Sequence, residues 1–303
     1  MRYSIDTTSF DGGVHTLYTS PEKKAAQRKR IAMLAVKYLI AAVLIVFFLF
    51  PYAFMILKSF MSPAETLPGE LVHFFPKMFT VKNYAVVGRF FKNILNTLVI
   101  IAINAIFIPL SACFVAFPLA RHKFTGKKTM FSIIMATVMI PSTVLMVPQY
   151  TLYVRFGLVD KLVSQWIGAF WGGGALNIFL VIQFMRSLPK EMDNAAKIDG
   201  ANEFQIFLRI VFPLCANIVI LIAVNVVIGM WMDFQSPLIY LNSSKKWTVG
   251  LAFYHYFSDK TVASQLSARL MAMCTVMSLL PIALFLTFQK SMIGGVKVGG
   301  IKG

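Results

Sequence analysis

Six stretches of the chain run for about twenty residues or longer without an Asp, Glu, Lys or Arg, the length an α-helix needs to cross a bilayer core. They occupy residues 38–57, 94–120, 130–154, 162–185, 210–232 and 270–289. Inside lipid every backbone amide and carbonyl must find its partner within the protein, which leaves only helices or a closed barrel. A barrel strand needs only about ten alternating residues. Runs of this length therefore predict an all-α integral membrane protein with six transmembrane helices. The composition agrees: 58% of the 303 residues are hydrophobic and 14% charged, against about a quarter charged in an ordinary soluble domain.

The net charge of +17 does not read as a nucleic-acid surface, because the cations sit between the apolar runs instead of forming one patch on a soluble fold. They read as loop charges at membrane surfaces. The first run ends in the bulky Phe47, Phe48, Phe50, Pro51 and Tyr52. A cleaved signal peptide has a shorter apolar centre and a small-residue cleavage site, so this run is read as a retained anchor. Six spans put both termini on one side. With that side inside the cell, eighteen of the twenty-nine Lys and Arg are cytoplasmic and eleven external, a modest positive-inside bias. The organisation expected is a cytoplasmic segment over 1–30, a transmembrane domain over 31–290 and a flexible cytoplasmic tail over 291–303.

Cys113, Cys215 and Cys274 each lie inside an apolar run, with neither disulfide spacing nor a CxxC pair, and read as small core residues. His15, His73, His122 and His255 have no partner at metal-ligand spacing, so no metal site is assigned. Pro51, Pro109, Pro118, Pro141, Pro148 and Pro281 fall within spans, where each removes a backbone bond. Static kinks and hinges of a moving transporter are both open readings.

Polar residues inside spans are the default candidates for a solute path, since lipid disfavours them. Asn93, Thr97, Asn104 and Ser111 share one face of the second span, with Asn96 at its edge. Such a stripe lines either a cavity or a helix interface, the second being more common. Gln183, Asn217 and Asn225 are candidates of the same kind. Trp166, Trp171 and Trp231 lie near span ends, where an interfacial belt explains them as well as a solute site does.

The most informative stretch, SLPKEMDNAAKIDGANEFQIFLRIVFPL over 187–214, lies between the fourth and fifth spans. Pro189 suits the first turn of a helix, and Glu191 and Asp193 complement the positive end of its dipole. Ala195 and Ala196 offer a smooth face for close approach. Gly200 ends the helix as a left-handed cap, and Asn202 with Gln205 three residues later is a capping-box pattern for a second helix. The chain then runs into the fifth span at Pro213. Read alone, this is either an ordinary amphipathic loop or a helix-turn-helix built to meet a partner.

That stretch resembles the EAA loop of the permease subunits of ATP-binding-cassette importers, in the sugar-uptake branch typified by the maltose permeases. Pro189, Glu191, Ala195, Ala196, Ile198, Asp199, Gly200, Ala201, Ile210, Pro213 and Leu214 stand at the positions that the pattern fixes. Asn194 stands where the family has its eponymous Glu, which puts any salt bridge from that position in doubt. Residues 229–241, with Thr248, Gly250 and Leu251, are similar to the family's segment after the fifth span, and FQKSMIGGVKVGGIKG resembles the Gly-rich tail of the maltose-type second permease.

The resemblance implies a non-catalytic transport subunit of a complex. Its partners would be a second permease, two cytoplasmic ATPases and an extracytoplasmic solute-binding protein, with membrane lipid around it. It further implies alternating access for a carbohydrate, with a coupling loop over 187–213 that carries a helix from Pro189 to Asp199 and whose coupling residues are Pro189, Glu191, Asp193, Asn194, Ala195, Ala196, Asp199, Gly200, Ala201 and Pro213. No GxxxxGK[ST] loop occurs, so ATP and Mg are assigned to the partner ATPases and no cofactor to this chain. A same-superfamily permease for a peptide, amino acid or organic anion is the nearest alternative. A channel or a membrane-embedded enzyme is the more distant one, and the only carboxylate near a span is Asp233.

Overall fold

The computed structural model describes residues 21–67, 73–258 and 267–299, with side chains described within 28–289 of these. The first twenty residues of the expected N-terminal segment and the final GIKG lie outside that set. The described residues are helical, with no strand among them. We number the principal helices α1 (Pro21–Ser59), α2 (Phe91–Arg121), α3 (Lys127–Val138), α4 (Ser142–Arg155), α5 (Ala175–Ser187) and α6 (Glu191–Ile198). There follow α7 (Glu203–Leu214), α8 (Ala216–Trp231), α9 (Gln235–Tyr240), α10 (Val249–Phe257) and α11 (Ser267–Gly299).

The chain divides into two compact units, residues 1–54 and 55–303. In the second, α2 is the central element and packs against α5 and α8, while α8 also packs against α11. Ala112, Cys113, Ala116 and Ala120 are all buried on α2. Small side chains at this spacing let helix backbones approach closely, the usual basis of packing where lipid removes the hydrophobic drive between helices. One core groups these residues with Val181, Ile182, Met185, Ile206, Phe207 and Val211. A second, centred on Ile101, Trp231, Val249 and Met273, closes the other end of α2.

Four helical stretches have the length and hydropathy to cross a membrane: Arg28–Ser59, Phe91–Arg121, Leu162–Ser187 and Ser267–Gln289. The third and fifth sequence runs are bent pairs. Lys127–Val138 and Ser142–Arg155 meet at 98°, and Glu203–Leu214 and Ala216–Trp231 at 70°. Pro141 lies at the first break, where a proline disfavours helix in the residue before it. Before the second break, Pro213 lacks the N–H that would bond the Arg209 carbonyl, and residues Phe207–Val211 form a wider π-turn.

Two expectations need correction. The run 162–185 is not one regular helix: short 3-10 turns lead to Gly172, Gly173 and Gly174, all at positive φ, and only then does α5 begin. A Cβ on Gly173 would collide with the Ile108 side chain, so glycine here permits both the left-handed backbone and the approach to α2. The expected flexible tail is helical as far as Gly299. Helix nucleation is already accomplished in the preceding span, so each further residue adds a backbone bond without that initial cost.

Candidate functional site

At the C-terminal end of α2, the Arg121 side chain is 1% exposed and holds the elbow between α5 and α6. Its Nη1 donates to the carbonyls of Met185 at 3.1 Å and Leu188 at 2.8 Å. Nη2 donates to the Pro189 carbonyl at 3.0 Å and to Oδ1 of Asp193 at 2.9 Å. Nε lies 2.8 Å from Oδ2 of Asp193 but off the line of a straight hydrogen bond, so that contact is mainly coulombic. A buried guanidinium is tolerated only when paired and bonded in this way. The carbonyls it caps are those at the negative end of α5, which favours a cation. Sequence reasoning counted Arg121 only as a loop cation, because its partner Asp193 is 72 positions away and no local pattern joins them.

The elbow itself follows local rules. Lys190 is the N-cap of α6, with Glu191 and Asp193 in the first turn. Pro189 therefore stands one residue before the cap instead of within the first turn, and its carbonyl is taken by Arg121. The left-handed cap is present: Gly200 has φ +81°. The Ala201 amide bonds the Ala196 carbonyl at 2.9 Å and the Gly200 amide bonds that of Lys197 at 3.1 Å, the two bonds of a Schellman motif. Asn202 and Gln205 form a reciprocal capping box at 2.9 Å each way. Glu203 then binds Lys197 at 2.7 Å and His122 at 3.1 Å, tying the far side of the elbow to the residue after α2.

This anchoring leaves the outer surface of α6 free. Ala196 alone is buried on it; Glu191, Met192, Asn194, Ala195, Ile198 and Asp199 are exposed, and so is Pro213 at the far end of the loop. Ile198 is 86% exposed and Phe204, just beyond the turn, 58%. Both are apolar side chains left bare beside a helix that is clamped from within. Ala201 is half-buried against the core. Asn194 has no side-chain partner among the described residues, and the intrachain ion pair belongs to Asp193.

The polar stripe of α2 binds neighbouring segments. Asn93 donates to the Trp247 carbonyl at 3.0 Å, and Asn96 to those of Lys245 and Trp247 at 3.0 and 3.1 Å. Thr97, 1% exposed, accepts from the Val249 amide at 2.8 Å. Asn104, 2% exposed, donates to the carbonyls of Ile100 and Gln165. Ser111 donates to Ala169 and accepts from Gly172. Thr97 and Asn104 have no room for a solute; their hydroxyl and amide replace water for otherwise unpaired backbone. Gln183 on α5 and Asn217 and Asn225 on α8 differ, being exposed on their helices without a side-chain partner among the described residues. Trp231 is buried, its indole N–H on the Met277 carbonyl at 2.8 Å, so it belongs to the core and not to an interfacial belt.

At the opposite end of α2, Asp160 clasps the segment after α9. Its carboxylate accepts from the amides of Asn242 at 3.1 Å and Ser243 at 2.8 Å, from the Ser243 hydroxyl at 2.6 Å and from Lys246 Nζ at 3.0 Å. The Ser243 hydroxyl and amide, with Lys246, hold this carboxyl well below the usual carboxylate range. Burial pushes Asp233 the other way, upward. Its carbonyl lies where a Cβ on Gly250 would be only 2.6 Å away, which explains glycine at that position.

Comparison with known proteins agrees with this architecture. The chain is 33% identical over 217 residues to the melibiose/raffinose/stachyose import permease protein MelC of Bacillus subtilis (strain 168), covering 70% of this chain and 76% of that one. It is 30% identical over 257 residues to a putative ABC transporter permease protein, ORF2, of Caldicellulosiruptor sp. (strain Rt8B.4), covering 84% and 91%. Its fold matches a chain in the crystal structure of a bacterial ABC transporter involved in the import of the acidic polysaccharide alginate. That match has TM-score 0.70 and 19% identity, and covers 91% of this chain and 99% of that one. The profile of the binding-protein-dependent transport system inner membrane component matches residues 86–297, and the chain belongs to that family.

Proposed function

We propose that the chain is a permease subunit through which a carbohydrate, of oligosaccharide size, crosses the bacterial plasma membrane by alternating access. The import of melibiose, raffinose and stachyose named for the Bacillus subtilis relative supports a sugar cargo. In this reading the two bent pairs each serve as one span, giving six, with both termini and the elbow in the cytosol. Two separate ATPases bind ATP and Mg. Their closure moves α6, and rigid-body motion of α6 changes the side of the membrane to which the path opens. A solute alone cannot drive that change without different affinity for the two states.

The observation that carries the proposal is the elbow: α6 is fixed to α2 by the buried Arg121–Asp193 pair while its apolar Ile198 stands 86% exposed. A helix held rigidly from inside and bare outside transmits force from a partner seated on it. Gln183, Asn217 and Asn225 form the path, since bare amides on a spanning helix require a water-filled cavity or another subunit. Thr97 and Asn104 support that path from behind.

A membrane-impermeant maleimide tests the arrangement with Ile198→Cys on a background of Cys113, Cys215 and Cys274 replaced by Ala. The label should react only when the cytosolic face is opened, and the same cysteine should crosslink to a co-purifying ATPase. Reaction from the outside of intact cells would end the importer reading, since no cytosolic ATPase could reach the elbow.

A further inference from the structure

The loop that joins α2 to α3 carries a cluster of cations that the transport reading does not use. Lys123, Phe124, Gly126, Lys127, Lys128 and Thr129 line an open cavity of about 340 Å³. Lys127 folds back and donates to the His122 carbonyl at 2.7 Å, which ties the loop to the end of α2. Its charge lies near enough to Arg186, in the last turn of α5, and to Lys190, the N-cap of α6, to be repelled by both. Arg186 in turn lies over the Phe131 ring at 5.4 Å, one turn along α3 from Lys127.

These cations are not neutralised within the chain. Among the described residues, Lys123, Lys127, Lys128, Arg186 and Lys190 make no ion pair. The carboxylates of the elbow are engaged elsewhere, Asp193 by Arg121 and Glu203 by Lys197 and His122, while Glu191 and Asp199 stay exposed on α6 and pair with none of the five. Like charges gathered in this way repel until an anion sits among them. The surroundings say which anion. No residue of Lys127–Val138 is buried, and Met130 and Ile133 are apolar and exposed just beyond the lysines. The cations thus stand where a bare apolar helix surface begins, the level at which the phosphates of a bilayer lie. The positive-inside tendency accounts for the side of the membrane but not for convergence from three separate segments.

We propose that this cluster binds an anionic phospholipid of the cytoplasmic leaflet, with the headgroup phosphate among Lys123, Lys127, Lys128 and Arg186 and the acyl chains along Met130 and Ile133. Only the choice of leaflet rests on the orientation set out above. Basic pockets between spanning helices at that face take such headgroups. A soluble phosphate compound would meet the same cations but leave the apolar surface of α3 uncovered. A lipid seated there lies beside Lys190, at the start of the elbow.

The test uses the assembled transporter in nanodiscs that carry a trace of photoactivatable phosphatidylglycerol, or of phosphatidylcholine with the same acyl chains, and maps the crosslinked residues by mass spectrometry. Residues 124–134 should take phosphatidylglycerol over phosphatidylcholine by at least about fivefold, the discrimination that one cation near the surface supplies. Lys123→Gln/Lys128→Gln should bring the two lipids close to parity, and Arg186→Gln, on a different helix, should lower the preference as well. Co-purification of the ATPases shows that both variants are assembled. Equal labelling by the two lipids in the parent protein overturns the proposal, as does a preference that survives both variants. Loss of the labelling to millimolar glycerol 3-phosphate would assign the cluster to a soluble phosphate compound, and overturns it too. Labelling that appears only after the ATPases are stripped away would make the cations an ATPase contact, with the same consequence. Because a disc exposes both faces, failure of the importer reading reverses the labelling of Ile198→Cys and leaves the lipid preference unchanged, whereas failure of the lipid claim leaves the cysteine labelling intact.

Discussion

A single backbone angle sets the geometry of the elbow. Gly200 sits at φ +81°, yet no atom lies within 4 Å of where its Cβ would be, so the only obstacle to a side chain there is conformational. The left-handed region costs an ordinary L-residue about 1–2 kcal/mol, and a β-branched one is the worst case. Asn tolerates it. Gly200→Val should therefore reach the membrane in normal amounts while ATPase activity stimulated by the binding protein drops severalfold, and Gly200→Asn should retain most of it. Equal activity of the two variants, measured in reconstituted complex, would show that the turn does not set the angle of α6. Gly250 is the contrasting case, required by the nearby Asp233 carbonyl and not by its φ.

Between elements, the Asp160 clasp joins the segment after α4 to the segment before α10. Its carboxyl is depressed below the ordinary value of about 4, so its stabilisation is complete above that value and is lost as pH falls through the folded-state value. Hydrogen bonds to a charged group contribute about 1.5–3 kcal/mol. Asp160→Asn should thus lower the thermal midpoint at neutral pH by the equivalent of about 2 kcal/mol, and the gap from the parent protein should close as the pH drops below about 4. A gap independent of pH would mean that geometry, not charge, holds the clasp. Such ties also mark where the sequence stopped being readable. The Gly200 cap and the Asn202–Gln205 box were legible because every participant lies within a turn or two. Arg121–Asp193 and Asp160–Ser243 were not, since they join residues 72 and 83 positions apart. Proline was an incomplete guide: Pro141 and Pro213 border the two sharp bends, while Pro51, Pro109, Pro118 and Pro281 lie inside continuous helices. The presence of a proline alone does not separate these cases.

Across the whole molecule, α2 is a long strut that joins the elbow to the opposite end of the helix bundle. Its 31 residues span ~45 Å, with Lys92 in the first turn and Arg121 as the last residue. Sites this far apart contribute independently unless a rigid element joins them. Arg121→Lys separates recognition from transmission. The charge survives, but a single ammonium cannot replace a planar fork that serves Asp193 and three carbonyls at once. The binding protein should then associate at the parent rate, because the end of the bundle opposite Arg121 is untouched, while its stimulation of ATP hydrolysis falls about tenfold, or ~1.4 kcal/mol of coupling. If Arg121→Lys instead slows association, the state of the elbow is already reporting to the outer face before any ATP is spent, and α2 would be a two-way lever. If neither quantity changes, the force reaches α5 and α8 by another route, and the buried pair serves only to hold the elbow folded.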